Sequence, residues 1–156
     1  MTEHEKARKP EDLTRLFVER ANAKDAEGLA QLYEEGAVMA YPPGSQTVGR
    51  EAIHQFWARA LPHLPAFEAE QPLPTLISGD LALTSTPPRD GAGARAQVVR
   101  RQPDGTWLRV LDQPEFVTPA SQGPGDTRRP GRPRLGMEAA GPIGGSGSAT
   151  GQSTSR

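Results

Sequence analysis

The sequence changes character near residue 117, and this boundary limits how much of the chain can form a hydrophobic core. Residues 118–156 contain nine glycines, five prolines and no aromatic residue, and their only large apolar side chains are Leu135, Met137 and Ile143. Such a segment cannot bury enough apolar surface to offset the chain entropy lost on folding. We therefore predict one domain over residues 1–117 and a disordered tail, rich in glycine, proline, arginine and serine, over residues 118–156.

Hydrophobic periodicity in the body predicts helices followed by strands. Apolar residues recur at helical spacing in three segments, and short β-type segments follow turn signals. The predicted helices cover residues 10–23, 26–35 and 50–61, and the predicted strands cover residues 37–41, 47–49, 73–77, 81–86, 94–102 and 106–111. The order ααββαββββ predicts an α+β fold with the helices on one face of a sheet.

Composition and motifs exclude several kinds of chemistry. Cysteine is absent, so neither a disulfide nor a thiolate nucleophile can operate. His54 and His63 have no acidic partners at metal-ligand spacing, and no glycine-rich loop opens a helix to bind phosphate. We therefore expect no metal and no cofactor. Because no apolar segment resembles a secretory signal or could cross a bilayer, we expect a soluble cytoplasmic protein without a membrane partner.

Charge is distributed unevenly between the body and the tail. The whole chain has a net charge of −1, whereas the tail, with five arginines against one aspartate and one glutamate, carries +3 and leaves −4 for the body. An acidic body offers no general attraction for nucleic acid. In the tail, Gly131, Arg132 and Pro133 resemble the core of an AT-hook, but Pro130 stands where a full hook has arginine. We therefore expect a basic linker rather than a minor-groove binder.

Several short motifs, taken in order, resemble those of SnoaL-like domains in the nuclear transport factor 2-like superfamily. Residues 23–33 (AKDAEGLAQLY) are similar to the helix break and LxxLY segment of that family, and residues 37–38 are similar to its first strand. Residues 48–53 (VGREAI) resemble the start of its third helix, and residues 104–107 and 110–114 (DGTW and VLDQP) resemble its final hairpin. The resemblance covers residues 8–116.

This resemblance implies a cone-shaped α+β barrel in which three helices pack on a curved, mostly antiparallel sheet. The interior of such a cone is apolar and open at one end, and many members form homodimers through the convex face of the sheet. The family includes ketosteroid isomerase, polyketide cyclases, an epoxide hydrolase, a dehydratase and many non-enzymatic adaptors. The fold alone therefore does not determine the activity.

Three positions test the ketosteroid isomerase reaction. The resemblance places Tyr41 where that enzyme has its aspartate base, Phe17 where it has a tyrosine donor, and Gln97 where it has a neutral aspartic acid. Phenylalanine cannot donate a hydrogen bond, and a phenol is a poor base at neutral pH. We therefore predict that this chain lacks ketosteroid isomerase activity.

The epoxide hydrolases of the family offer a second comparison. They use an Arg-x-Asp pair on one strand and an aspartate on the last strand, and Arg95, Gln97 and Asp112 occupy similar places here. Gln97 cannot supply a proton, so the resemblance implies a general base, Asp112, oriented by Arg95. The same residues are explained by a structural Arg95–Asp112 ion pair, or by Asp112 capping the end of its strand.

Alternation along the last strand predicts that Leu108, Val110 and Asp112 share one face. If that face lines the cone, Asp112 lies in an apolar pocket. The predicted ligand-pocket residues are Phe17, Tyr41, Trp57, Gln97 and Val110. The alternative, which their residue types favour, is that Tyr41 packs in the core and that Trp57 packs in the core or on a dimer face.

These observations favour an apolar pocket that binds a small organic molecule, with the specific activity left open. One alternative is an isomerase, cyclase or hydrolase of the same fold with Asp112 as general base. Another is a protein-interaction module that uses the convex sheet. An open cavity that holds Asp112 favours the enzyme, and a cavity filled by Phe17, Trp57 and Phe116 favours the interaction module.

Overall fold

Helices cover one face of a six-stranded sheet in the part of the chain that the computed structural model describes, residues 3–89 and 93–116. The helices are α1 (Pro10–Asn22), α2 (Ala26–Ala30) and α3 (Arg50–Ala60), and a 3₁₀ turn (Leu61–His63) follows α3. The strands are β1 (Tyr33–Met39), β2 (Thr47–Val48), β3 (Leu76–Ser78), β4 (Leu81–Thr86), β5 (Arg95–Arg101) and β6 (Trp107–Gln113). Their spatial order is β2-β1-β6-β5-β4-β3, with β1 and β6 parallel and all other neighbours antiparallel. The predicted α+β class and the element order are confirmed.

Local signals explain how α1 begins and which side it buries. Pro10 lies in the first turn, and the carboxylate of Asp12 accepts a hydrogen bond from the backbone N–H of Lys9 (3.2 Å), as in a capping box. The apolar face of α1 includes Phe17, and that of α3 includes Trp57; both side chains are buried. The two helices therefore bring aromatic rings to the covered side of the sheet.

The second helix is shorter than its periodicity predicts. The predicted segment, residues 26–35, is helical only as far as the end of α2, and β1 begins at Tyr33. Leu32 and Tyr33 are buried, as they would be in a longer amphipathic helix, so their spacing does not distinguish the two structures. Pairing with β6 decides the outcome, because the N–H of Arg109 donates to the carbonyl of Leu32 (2.8 Å). Tyr41, predicted on the first strand, consequently lies beyond the end of β1.

The strand register aligns two rows of side chains, one on each face of the sheet. On the face that the helices cover, an inner row is formed by Met39, Asp112, Gln97 and Thr84 on β1, β6, β5 and β4. On the opposite face, an outer row of apolar residues crosses all six strands and consists of Val48, Val38, Leu111, Val98, Leu83 and Leu76. The side chains of Leu76 and Leu111 are 66% and 50% exposed. The outer row is therefore open to solvent.

The predicted tail lies outside the described residues, which end at residue 116. The domain boundary, the disorder of the tail and the AT-hook-like segment at Gly131, Arg132 and Pro133 therefore stay predictions. Within residues 3–89 and 93–116, no helix has the length and apolar character needed to cross a membrane.

Candidate functional site

A cavity of about 180 Å³ opens between the helices and the inner row. Three groups of residues line most of it: an aromatic wall (Phe17, Trp57 and Phe67), a polar floor (Gln97, Arg109 and Asp112) and a charged rim (Glu70, Arg95 and Glu115). Helices supply most of the wall and strands supply the floor. The cavity is therefore apolar on one side and polar on the other.

The aromatic wall is built from three rings in edge-to-face contact. The ring centroids of Phe17 and Trp57 are 5.4 Å apart, and those of Phe17 and Phe67 are 5.8 Å apart. Asn22, at the end of α1, holds the loop that carries Phe67. Its amide donates to the carbonyl of Phe67 (2.9 Å) and accepts from its N–H (2.7 Å). Aromatic pairs of this kind add about 0.5–1.5 kcal/mol beyond burial, so the ring contacts and the two Asn22 hydrogen bonds together hold the wall in place.

A chain of buried hydrogen bonds crosses the polar floor. The hydroxyl of Thr84 donates to Gln97 Oε1 (2.9 Å), and Gln97 Nε2 donates to Asp112 Oδ1 (3.2 Å). The other carboxylate oxygen, Oδ2, accepts from the hydroxyl of Tyr33 (2.5 Å) and from Arg109 Nη1 (3.2 Å). Asp112 thus accepts hydrogen bonds from three side chains while only 3% of its surface is exposed. The network fixes the position of this carboxylate.

A β-bulge brings two charged residues of β6 to the same face. The pairing of β6 with β5 skips Val110, so alternation shifts by one residue at that point. Arg109 and Asp112, three positions apart, are consequently both buried on the inner face. The predicted face of Leu108, Val110 and Asp112 is therefore wrong, since strict alternation ends at the bulge.

Arg109 is held in the floor by aromatic rings and by its acidic neighbour. Its guanidinium carbon lies 4.7 Å from the ring centroid of Phe17 and 5.6 Å from that of Tyr33. Burial alone would lower the pKa of Arg109, but Asp112 and Tyr33 together outweigh that effect and raise it. Burial, followed by the charge of Asp112, raises the pKa of Tyr33 well above its ordinary value. The floor therefore holds a neutral phenol beside an ion pair that has no net charge.

The rim carries charges of both signs. Arg95 Nη1 donates to one carboxylate oxygen of Glu70, and the hydroxyl of Thr86 donates to the other (3.0 Å). One interpretation of the sequence is an Arg95–Asp112 ion pair. That interpretation is wrong, because Arg95 pairs with Glu70 and Asp112 pairs with Arg109.

The structure brings together most, but not all, of the predicted site residues. Among the described residues, the cavity lining includes Phe17, Trp57, Arg95, Gln97 and Asp112, but neither Tyr41 nor Val110. The ring of Tyr41 packs instead against Phe56, with the centroids 5.3 Å apart. Val110 is the bulged residue of β6.

Sequence reasoning misses three residues that shape the site: Tyr33, Arg109 and Phe67. Tyr33 falls in a segment whose spacing also suits a helix, and strict alternation assigns Arg109 to the outer face. The register of β1 against β6, which places Tyr33 opposite Arg109, is what brings them together. Phe67 lies in a proline-flanked segment without periodicity, so no signal in a single sequence distinguishes it.

The site can bind a polar group or, through Asp112, accept a proton. Gln97 is the hydrogen-bond donor to Asp112 Oδ1, and a carboxylate oxygen has capacity for a further donor. Within the described ranges, no group of three or more histidine, aspartate or glutamate residues is placed to hold a metal ion. The chemistry available from these residues is therefore hydrogen bonding and proton transfer in an aromatic pocket.

Comparison with known proteins agrees with this architecture. The sequence model of the SnoaL-like domain family matches residues 14–112. A comparison with curated proteins finds no significant match.

Solved structures share the fold at low sequence identity. One is a proposed calcium/calmodulin-dependent protein kinase type II association domain from Thiobacillus denitrificans, at 18% identity and a TM-score of 0.56, covering 72% of this chain and 96% of that chain. A ketosteroid isomerase-like protein from Erwinia carotovora atroseptica has 16% identity and a TM-score of 0.53, covering 66% of this chain and 89% of that chain. A proposed dehydratase of the NTF2-like family from Streptomyces avermitilis has 20% identity and a TM-score of 0.51, with coverage of 66% and 89%. Identities this low show a common fold and leave the activity open.

Proposed function

Because the chain belongs to the SnoaL-like domain family, we propose that its cavity binds a small organic molecule between the aromatic wall and the polar floor. One observation carries this proposal: three edge-to-face rings face a buried polar network that has no net charge. Small-molecule sites typically combine such apolar walls with a few placed polar groups. The wall would supply contact area, and the floor would orient the ligand.

Binding alone is better supported than catalysis, because the charged floor residues satisfy one another. A general base must take up a proton, and protonation of Asp112 would leave Arg109 as an unpaired buried cation. The raised pKa of Tyr33 also makes its phenol a weak acid near neutral pH.

Ligand-induced stabilisation tests the proposal. A panel of small neutral aromatic compounds is titrated into the full chain while thermal unfolding and ¹⁵N–¹H NMR spectra are recorded. A ligand at a hundred times its Kd stabilises the folded state by about 2.7 kcal/mol. We expect amide shifts at Thr14 and Phe67, which line the cavity, and none at Leu83 in the outer row.

Two variants on α1 separate binding in the cavity from binding elsewhere. Thr14→Leu enlarges a side chain that lines the cavity, whereas Glu11→Leu enlarges one on the exposed face of the same helix. We expect Thr14→Leu to weaken binding and Glu11→Leu to leave it unchanged. Equal effects of the two variants, or a panel in which nothing stabilises the chain, would contradict the proposal.

Catalysis in the same cavity is the second candidate. It is favoured by the position of Asp112 in the cavity lining and by Arg95 on the rim. If the protein is an isomerase, cyclase or hydrolase with Asp112 as base, Asp112→Asn abolishes turnover while binding persists. Turnover that survives this substitution would remove Asp112 from the reaction.

The outer row supports a proposal about assembly. We propose that a second copy of the chain covers it, because proteins that function as monomers rarely expose a continuous apolar row across a whole sheet. Two such faces are self-complementary about a two-fold axis. Light scattering should show a dimer that Leu83→Lys dissociates and Ser45→Lys, in the exposed turn after β1, does not. A monomeric wild-type chain would contradict this proposal and would indicate that a different protein covers the outer row.

A further inference from the structure

A short segment without helix or strand passes along the rim of the cavity. We call residues 68–72 (EAEQP) the rim segment. At its near end, Asn22 makes two hydrogen bonds to the backbone of Phe67, and at its far end the N–H of Leu73 donates to the carbonyl of Ser85 (2.8 Å). Between these two ends, the rim segment has no backbone–backbone hydrogen bond to the described part of the chain. The body of the domain therefore holds the backbone on either side of the rim segment but not the rim segment itself.

One side chain connects the rim segment to the sheet. Glu70 is the only one of its residues that is not exposed, and 13% of the Glu70 side chain is accessible. One carboxylate oxygen accepts a hydrogen bond from Arg95 Nη1 on β5, and the other accepts from the hydroxyl of Thr86 on β4 (3.0 Å). The other charged residue of the segment, Glu68, is 85% exposed, and its carboxylate lies 3.8 Å from Arg89. Glu70 is therefore the contact that holds the rim segment against the sheet.

The contact made by Glu70 is weak enough to break while the domain stays folded. The Arg95 side chain is 27% exposed, so solvent screens its ion pair with Glu70. An ion pair of this kind and one hydroxyl hydrogen bond contribute only a small part of the stability of a domain. Local openings of cavity-bordering loops typically cost less free energy than global unfolding. The rim segment can therefore open locally when the Glu70 contact breaks.

We propose that the rim segment is a lid on the open side of the cavity and that Glu70 is its latch, closed by Arg95 and Thr86. Phe67 and Glu70 both line the cavity, so release of the segment widens the opening beside the aromatic wall. This inference goes beyond the proposed function, because it adds control of access to the binding site. Its tests use water and acrylamide instead of a ligand, so its failure and the failure of the proposed function are distinguishable.

Exchange of the Trp57 indole N–H with water measures the opening of the lid in the full chain. Trp57 Nε1 is buried and has no hydrogen-bond partner within the described ranges, so burial alone protects it from exchange. We expect Glu70→Ala to raise the exchange rate by roughly 3- to 10-fold, the value of one hydrogen bond, in NMR spectra. The indole of Trp107, which is not part of this cavity lining, should keep its rate. A parallel rise at both indoles would mean general destabilisation and would overturn the inference.

Two matched variants separate the latch from the charge that it carries. Glu68→Ala removes the exposed carboxylate of the same segment. Glu115→Ala removes another carboxylate of the rim, which accepts a hydrogen bond from the N–H of Gly93 (3.2 Å). We expect both variants to leave the exchange rate of Trp57 unchanged. A rise in either variant equal to that in Glu70→Ala would show that the lost charge, and not the latch, is responsible.

A double substitution tests whether Glu70 and Arg95 act as one latch. Arg95→Ala should also raise the exchange rate of Trp57, and the double variant Glu70→Ala/Arg95→Ala should match Glu70→Ala alone, because the latch is already open. If the two effects add, the residues act independently and the inference is overturned.

Acrylamide tests whether the opening admits a small organic molecule. The chain has two tryptophans, so Trp107→Phe leaves Trp57 as the only one. In that background, we expect acrylamide to quench the fluorescence of Trp57 roughly 3-fold or more strongly once Glu70→Ala is added. Unchanged quenching beside faster hydrogen exchange would mean that only water enters. That result would overturn the lid as a route for a ligand and would leave the proposed function intact.

Discussion

Two aligned rows of side chains, one on each face of the sheet, reverse the pattern expected of a sheet that is covered on one side. Such sheets usually bury apolar side chains and expose polar ones. Here the covered inner row is largely polar, and the solvent-facing outer row is apolar. The contrast runs between chain neighbours: Leu111 and Asp112 on β6, Val98 and Gln97 on β5, and Leu83 and Thr84 on β4.

This reversal shows that the register is specified by more than apolar burial. A slip of one residue on β5 would exchange Gln97 for Val98 and remove the amide that links Thr84 to Asp112. The inner row is satisfied within the chain, by hydrogen bonds and by Arg109. The outer row has no comparable internal partner among the described residues, which is why we assign it to a second copy.

Removal of the buried cation has the largest expected effect on the inner face. Arg109→Met leaves the carboxylate of Asp112 buried without its counter-charge. We expect the free energy of unfolding to fall by about 3–5 kcal/mol, measured by urea denaturation.

A double substitution controls for the loss of packing around Arg109. Asp112→Asn removes the charge that Arg109→Met leaves behind, so the double variant should recover much of the lost stability. If the two effects simply add, the residues do not form an ion pair in solution.

The hydroxyl of Tyr33 has the next largest expected effect. Tyr33→Phe removes a hydrogen bond of 2.5 Å to Asp112 and leaves that oxygen with one donor fewer. We expect a loss of about 1–3 kcal/mol. Tyr41→Phe removes a hydroxyl from a ring that is only half-buried, and we expect a change within about 0.5 kcal/mol. Equal losses in the two variants would mean that the inner network does not depend on this phenol.

The sequence was sufficient to predict the fold but only part of the site. The helix signal at Pro10 and the turn signal between β5 and β6 help to predict the element order. Each of these signals depends only on residues that are close together in the sequence. Phe17, Trp57 and Asp112 were predicted at the cavity, since their elements were assigned nearly correctly. Arg109 could not be predicted, because the bulge depends on pairing between β5 and β6 and leaves no local mark.

The segment that carries Tyr33 is a second case in which the local sequence pattern does not predict the strand pairing. Its apolar spacing suits a helix and a buried strand equally well, and only pairing with β6 selects the strand. Strand pairing is decided by residues far along the chain. The sequence alone therefore does not predict that Tyr33 donates a hydrogen bond to Asp112.

Thr84 and Leu83 are adjacent on β4 and lie on opposite faces, so substitutions of these two residues compare the faces directly. The expected changes in stability are smaller than those above. Thr84→Val keeps the side-chain shape and leaves Gln97 Oε1 without its donor, so we expect a loss of about 1 kcal/mol at any protein concentration. Leu83→Thr acts on the outer row, and its effect should grow with protein concentration if a second copy covers that row. Urea denaturation across a range of concentrations measures both. A concentration-dependent Thr84→Val effect, or a concentration-independent Leu83→Thr effect, would contradict the assignment of the two faces.

Alkaline pH gives the smallest expected effect near pH 10, and it isolates one group of the inner face. The pKa of Tyr33 is raised in the folded state by burial and then by Asp112, so the stabilisation is complete below the pKa of an unfolded tyrosine and declines as the pH rises above it. The loss is about 0.4 kcal/mol at about pH 10 and about 1.4 kcal/mol in total at about pH 11. Thermal unfolding is measured over this range for the wild-type chain and for Tyr33→Phe, and the difference between the two proteins isolates the contribution of Tyr33. If the two proteins lose stability in parallel, Tyr33 is accessible to solvent, and the inner face is not the dry polar surface on which the binding proposal depends.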